Sequence, residues 1–163
     1  MLRRQFIKIS SVGAVGALAP MAAHASPTLL TVEGDISGQG LRDFNDQDLS
    51  ELKQAEFSTS TIWTTTRIKF SGPTLQGLLD EVGAGPGPIR LRAVNDYVVV
   101  MPRDRVEKNA PIIANRMDDE PYGIRQKGPL WLIFPYDSDA RFQSEEVYAF
   151  SIWQLTHIEI LAG

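Results

Sequence analysis

The chain has 163 residues, with 16 Lys and Arg against 20 Asp and Glu, two histidines and no cysteine. The cysteine count excludes disulfides, thiolate metal ligands, iron–sulfur clusters and a cysteine nucleophile. The acidic balance argues against nucleic acid or anionic lipid as a partner.

Residues 1–25 read as a cleaved export signal rather than as fold. Arg3, Arg4 and Lys8 make a basic start, a mildly apolar run broken by Gly13 and Gly16 follows, and Ala23-His24-Ala25 has the small-x-small form of a cleavage site before Ser26. The apolar run is too short and too glycine-rich for a membrane span. Arg3-Arg4-Gln5-Phe6-Ile7-Lys8 resembles the twin-arginine export motif, with Leu2 where Ser or Thr is usual. An ordinary secretory signal carrying two arginines is the alternative. The expected location is the periplasm. Cleavage takes 3 of the 16 basic residues and leaves 13 against 20 acids, a net charge of −7 over residues 26–163. Those residues are expected to form a single domain, long enough to bury a core. His157 is then the one histidine, which excludes by count a multi-histidine metal site.

Residues 29–36 predict an opening strand, and residues 38–40 a loop. Asp46 is placed to cap a short helix running to Lys53, with Leu49 and Leu52 inward. Residues 57–66 predict a strand followed by a loop. The stretch 70–83 organises the rest. Its Leu75, Leu78, Leu79 and Val82 recur at i, i+3, i+4 and i+7, one face of a helix. Pro73 suits the first helical turn and Gly83 the position just past the end. Asp80 and Glu81 sit at the unfavourable end of the helix dipole, so burial of the leucine face must drive this helix. Residues 83–88 form a stiff connection. Its glycines follow a helix instead of opening one, so it is no phosphate loop.

Ile89–Ala93 alternates apolar residues with arginine, and Asn95-Asp96 turns the chain into residues 97–101 as a hairpin. Residues 103–109 predict a charged helical turn, Ile112–Ala114 a short strand, and residues 117–121 an acidic turn. Residues 128–135 hold five consecutive apolar residues, which suits a central strand buried on both faces. Residues 136–143 read as a polar loop, and residues 145–153 are compatible with helix or strand. Residues 155–161 close the chain as a strand, with Ile158 and Ile160 opposite His157 and Glu159. Seven or so strands with two or three short helices are too few helices for a doubly wound sheet. The expected class is α+β, β-rich, with a mixed sheet.

The order of these segments resembles the molybdopterin-binding domain of sulfite-oxidase-like oxidoreductases. The residues carrying the resemblance are Phe70-x-Gly72-x-x-Leu75-x-x-Leu78-Leu79-x-x-Val82-Gly83, then Asn95-Asp96-Tyr97, Met117 to Pro121, Gly128-Pro129-Leu130 to Pro135, and Ile152-Trp153-x-Leu155-x-x-Ile158. They span most of residues 29–163. The family's metal-binding cysteine has no counterpart: Ser58-Thr59-Ser60-Thr61-Ile62-Trp63 stands there, and Ser60 or Thr61 falls near the place. A hydroxyl is a hard ligand, unlike a thiolate. The family's arginine in the later strand is also replaced, by Leu130-Trp131-Leu132, read as apolar surface.

What the resemblance implies is set beside the plain reading of each residue. Ser60 and Thr61 stand as metal-side candidates or as ordinary strand positions. Arg67, Lys69, Arg125 and Lys127 stand as holders of a pterin phosphate or other anion, or as solvated surface. Asn95, Asp96 and Tyr97 stand as ligand contacts or as a hairpin turn. Trp63, Trp131 and Trp153 stand as packing, with one free to stack on a flat ligand. The candidate ligand set is Ser60, Thr61, Trp63, Arg67, Asn95, Tyr97, Arg125 and Lys127. His157 reads as structural. Asp118, Asp119 and Glu120, and Asp137 and Asp139, lack the spacing of a calcium loop. No metal ligand set and no catalytic residue is assigned. The expected protein binds no cofactor and serves as a periplasmic ligand- or partner-binding module. The alternative is a molybdopterin-dependent oxidoreductase with a non-cysteine metal site. The expected partner is a membrane-bound or periplasmic protein, with the Trp131 region as its apolar surface.

Overall fold

The computed structural model describes residues 26–163; the export-signal reading falls on residues 1–25, outside them. Ten strands and three short α-helices follow one another as β1 (Leu30–Gly34), β2 (Leu41–Phe44), α1 (Asp46–Glu51), β3 (Gln54–Thr59), β4 (Ile68–Pro73), α2 (Leu75–Glu81), β5 (Ile89–Ala93), β6 (Val98–Met101), β7 (Ile112–Ala114), β8 (Arg116–Met117), β9 (Trp131–Ile133), α3 (Glu145–Phe150) and β10 (Leu155–Ile160). The architecture is α+β and β-rich, as the pattern predicts.

The largest sheet has the order β2-β1-β10-β5-β6. The terminal strand β10 inserts between β1, which it joins in parallel, and β5, which it joins antiparallel. Period-two alternation sorts the two faces. Leu30, Val32, Ile89, Leu91, Ile158 and Ile160 are buried on one face. Thr31, Glu33, Arg90, Arg92, His157 and Glu159 take the other, so the arginines of β5 do point away from the core. A second sheet has the order β3-β4-β8, and β7 pairs with β9 in a third ladder.

Helix α2 forms where its leucine spacing places it. Leu75, Leu78 and Leu79 are buried, and Val82 joins the same core from the C-cap. The start differs from expectation. Pro73 ends β4, and Thr74 is the N-cap, its hydroxyl accepting the Gly77 N–H. The hydroxyl satisfies one of the orphan donors of the first turn, which a proline at that position does not do. At the other end Gly83 takes φ +59, and Ala84 N–H returns to the Leu79 carbonyl at 2.9 Å. Gly72 lets β4 lie against β7: a Cβ there would stand 2.1 Å from the Ile113 carbonyl oxygen.

Other expectations are corrected. Asn45, not Asp46, caps α1. It does so in a capping box with Asp48, which frees Asp46 to bind Arg116. Strand β2 has no signature in the sequence; its residues Leu41, Arg42 and Asp43 are exposed, and pairing with β1 makes it a strand. Trp131–Ile133 is fully buried, yet its ladder has only β7 beside it. Its other neighbours come from the 151–153 segment, through the Leu132 N–H to Ile152 carbonyl bond and a bridge to Trp153. Trp131 has 0% exposure, so the apolar surface expected there is core. Residues 136–143 are not a plain polar loop either, since two 3-10 turns bury Tyr136 and Phe142.

Candidate functional site, an aromatic cleft

The chain leaves β3 through a turn built by its own hydroxyls. Thr61 Oγ1 accepts the Trp63 N–H at 3.1 Å and pairs with Thr64 Oγ1 at 2.9 Å, and Thr64 Oγ1 also reaches the Thr66 carbonyl at 3.1 Å. Serine and threonine favour such local closure. The turn leaves Ile62 exposed at 63% and carries Trp63 toward the core.

Trp63 enters an aromatic group drawn from distant segments. Its ring centroid lies 5.8 Å from Trp131, 5.6 Å from Trp153, 5.7 Å from Tyr148 and 6.4 Å from Tyr136. Most of these contacts are edge-to-face, the arrangement aromatic quadrupoles favour. Each partner is held separately. Trp131 Nε1 donates to the Ser151 carbonyl at 3.1 Å. The Tyr136 hydroxyl donates to Ser151 Oγ, which in turn donates to the Val147 carbonyl. Burial drives the Tyr136 phenol well above its ordinary pKa, so it remains a neutral donor. Tyr148 rides on α3, which Ser144 caps through the Val147 N–H.

The hairpin between β5 and β6 brings a fourth wall. Asp96 takes φ 62 at its tip, and Asn95 Oδ1 accepts the Tyr97 N–H at 3.3 Å. That leaves the Asn95 amide NH2 as a donor. The Tyr97 hydroxyl reaches the Ala149 carbonyl at 3.5 Å, at the end of α3. Between the hairpin, α3 and the two tryptophans lies a cleft of about 260 Å³, with Trp63, Asn95, Tyr97, Tyr148 and Trp153 around it and Ala93 and Ile152 among its apolar lining.

The structure therefore brings Trp63, Asn95 and Tyr97 to one cleft and puts Lys127 beside it. Lys127, at φ 72, holds Nζ 4.6 Å from the Trp153 ring centroid and 5.9 Å from that of Trp131. Arg125 lies on an exposed 3-10 turn next to it. Ser60 and Arg67 are elsewhere, gathered by Asp137. The Ser60 N–H donates to Asp137 Oδ2 at 2.8 Å, and Arg67 Nε stands 3.7 Å from the same oxygen. Arg67 also donates to the Ser58 carbonyl through Nε and Nη2. Lys69 binds Glu56 and Asp119. His157 sits on the outer sheet face with Nδ1 3.0 Å from Thr156 Oγ1. Tyr148, which completes the cleft, carries no signal in the sequence. Residues 145–153 were compatible with either period, and only the helix fixes where its ring points.

These residues do not fit a molybdenum cofactor. The chain has no thiolate, Thr61 is closed into its own turn, and Arg67 is turned away onto a carbonyl and a carboxylate. Among the described residues, no three His, Asp or Glu side chains gather closely enough to hold a metal ion. Nor, among them, is any helix long and apolar enough to cross a membrane.

No family model matches the sequence, and no curated protein matches it. Among solved structures, the fold is similar to that of the sulfane dehydrogenase SoxCD from Paracoccus pantotrophus, with a TM-score of 0.63 and 13% sequence identity. The match covers 81% of this chain and 37% of that one, so this chain spans little more than a third of its length. At this identity the likeness is one of fold. The domain has the β-rich, sulfite-oxidase-like α+β fold expected from the order of its segments, a fold it shares with an oxidoreductase.

Proposed function

We propose that this protein is a non-catalytic binding module on a sulfite-oxidase-like fold, exported to the periplasm by residues 1–25, with the aromatic cleft as its ligand site. The observation that carries this reading is the position of Trp63. Two or three residues beyond Ser60 or Thr61, near which the resembling family places its metal thiolate, the Trp63 indole packs among Trp131, Trp153, Tyr136 and Tyr148. Redox chemistry needs a ligand set, and among the described residues no three His, Asp or Glu side chains gather to provide one. Recognition needs less. A 260 Å³ cleft with aromatic walls suits a small flat molecule, which stacks on Trp63, Tyr148 or Trp153 and places a polar edge against the Asn95 amide. Lys127 biases the Trp153 side toward an anionic group.

Elemental analysis of the protein purified from a host that exports it tests the non-catalytic half of this reading. The expected result is a folded, monodisperse protein with molybdenum far below one atom per chain. Near-stoichiometric molybdenum that falls in Ser60→Ala or Thr61→Ala would overturn it in favour of a cofactor-dependent oxidoreductase. The mass of the same protein tests export, since cleavage before Ser26 leaves residues 26–163.

A further inference from the structure

Strand β3 has a free edge. This strand pairs with β4 on one side and ends its sheet on the other. The ladder fixes which backbone groups face out. Thr74 N–H donates to the Lys53 carbonyl at 2.9 Å, and Pro73, which has no N–H, stands opposite Gln54. Hydrogen-bonded and non-bonded pairs alternate in an antiparallel ladder. Ala55 and Phe57 therefore bond to β4, while Gln54, Glu56 and Ser58 turn their N–H and C=O groups to the free edge.

The Ser58 end of that edge is closed by Arg67 on its carbonyl and by Asp137 on the Ser60 N–H. The Gln54–Phe57 end is open. It borders a groove of about 650 Å³ whose lining also includes Lys108, Pro135, Phe142 and the ion pair of Glu107 with Arg141.

We propose that this groove takes up an extended peptide segment of a partner protein, added as a further strand along Gln54–Phe57. Three features define the occupant. The outward N–H and C=O groups of Gln54 and Glu56 match a peptide backbone, the ligand that strand addition recognises. Ala55 and Phe57 are half-buried on one face of the strand, toward Pro135 and Phe142, so the added segment carries apolar side chains at every second position. At the Gln54 end Lys53 Nζ donates to the backbone carbonyl of Lys108 and to Asn109 Oδ1, and Lys108 itself lines the groove. Neither lysine has a carboxylate within ion-pair distance among the described residues. An acidic residue at that end of the peptide completes the match.

Selection of a random displayed peptide library on the purified protein, followed by synthesis of the enriched sequences, tests this proposal. The expected peptides alternate apolar residues, carry an acid near one end, and slow amide exchange at Gln54 and Glu56. N-methylation of the peptide nitrogen that faces Glu56 weakens binding roughly tenfold and leaves the protein untouched. The double charge reversal Lys53→Glu, Lys108→Glu, on exposed side chains, weakens it about fivefold. No enrichment, peptides insensitive to N-methylation, or protection confined to the Trp63 cleft would overturn the proposal. Protection of the same amides that depends on protein concentration without peptide would also overturn it, by making a second copy the occupant.

Discussion

Two hollows of nearly equal size lie on different sides of this molecule. The aromatic cleft encloses about 260 Å³, and a depression on the outer face of the five-stranded sheet encloses about 270 Å³. The second is lined by Glu33, Arg90, Arg92, Val98, His157 and Glu159. Arg90 pairs there with Glu159 directly opposite it, while Glu33 and Arg92 form no ion pair among the described residues. A ligand entering there would have to displace an ion pair that water already solvates. The cleft is the reverse case. Its rings pack edge-to-face on one another, as Trp63 does on Tyr148 and Trp153, and no ion pair lines the opening. Equal volumes thus carry different meanings, and the lining chemistry decides between a site and a solvated sheet face.

The sharpest way to break the aromatic side is Trp131→Ala. Trp131 is fully buried and touches Trp63, Phe70 and Trp153, so its loss should cost about 3–5 kcal/mol in denaturant unfolding. A cost under ~1 kcal/mol would mean that the cluster is not the keystone of this end of the core. Trp63→Ala should cost less, about 1–2 kcal/mol, because the indole is only half-buried. It should remove ligand binding while circular dichroism stays that of a folded protein. Retained binding would move the site away from Trp63.

Ion pairs set the lower end of the scale. Arg116 holds the Asp46 carboxyl below its ordinary value of 3.8 through their hydrogen bond, aided by Asn115 and opposed by desolvation. A lowered folded value means that this contribution is fully present above the unfolded value and is lost as pH falls through the lower folded one. With the Asp46 side chain 45% exposed, screening limits it to under ~1 kcal/mol. The acid limb of the stability–pH curve should flatten slightly in Asp46→Asn; an unchanged limb would show that the pair contributes nothing. Arg90→Ala, in the charged hollow, should change stability by less than ~0.5 kcal/mol and leave cleft binding unaltered. A large change in either would erase the contrast between the two hollows.

Much of the fold was legible because it is written locally. The leucines of α2, the alternation of β5 and the Asn95-Asp96 turn each declare themselves within a few residues. Strand β2 did not, since Leu41, Arg42 and Asp43 carry no alternation and become a strand only against β1. The apolar run at Trp131–Ile133 declared its burial but not its setting, because a strand end packed by the 151–153 segment reads the same as a sheet centre. The cleft was legible in its members Trp63, Asn95 and Tyr97 and not in their meeting. Tyr148 and Trp153 reach Trp63 only through the tertiary path of α3. Ser60 and Thr61 attracted notice through their place in a resembling motif, whereas the hydrogen bonds that occupy this turn are visible only in three dimensions.

Titration of the purified protein with anilinonaphthalene sulfonate, a planar anionic dye, tests the aromatic cleft most directly. Saturable binding of one dye per chain is predicted, lost in Trp63→Ala, weakened in Lys127→Ala and unchanged in Arg90→Ala. Absence of saturable binding, or binding indifferent to Trp63, would contradict the assignment of the cleft as the site of this protein.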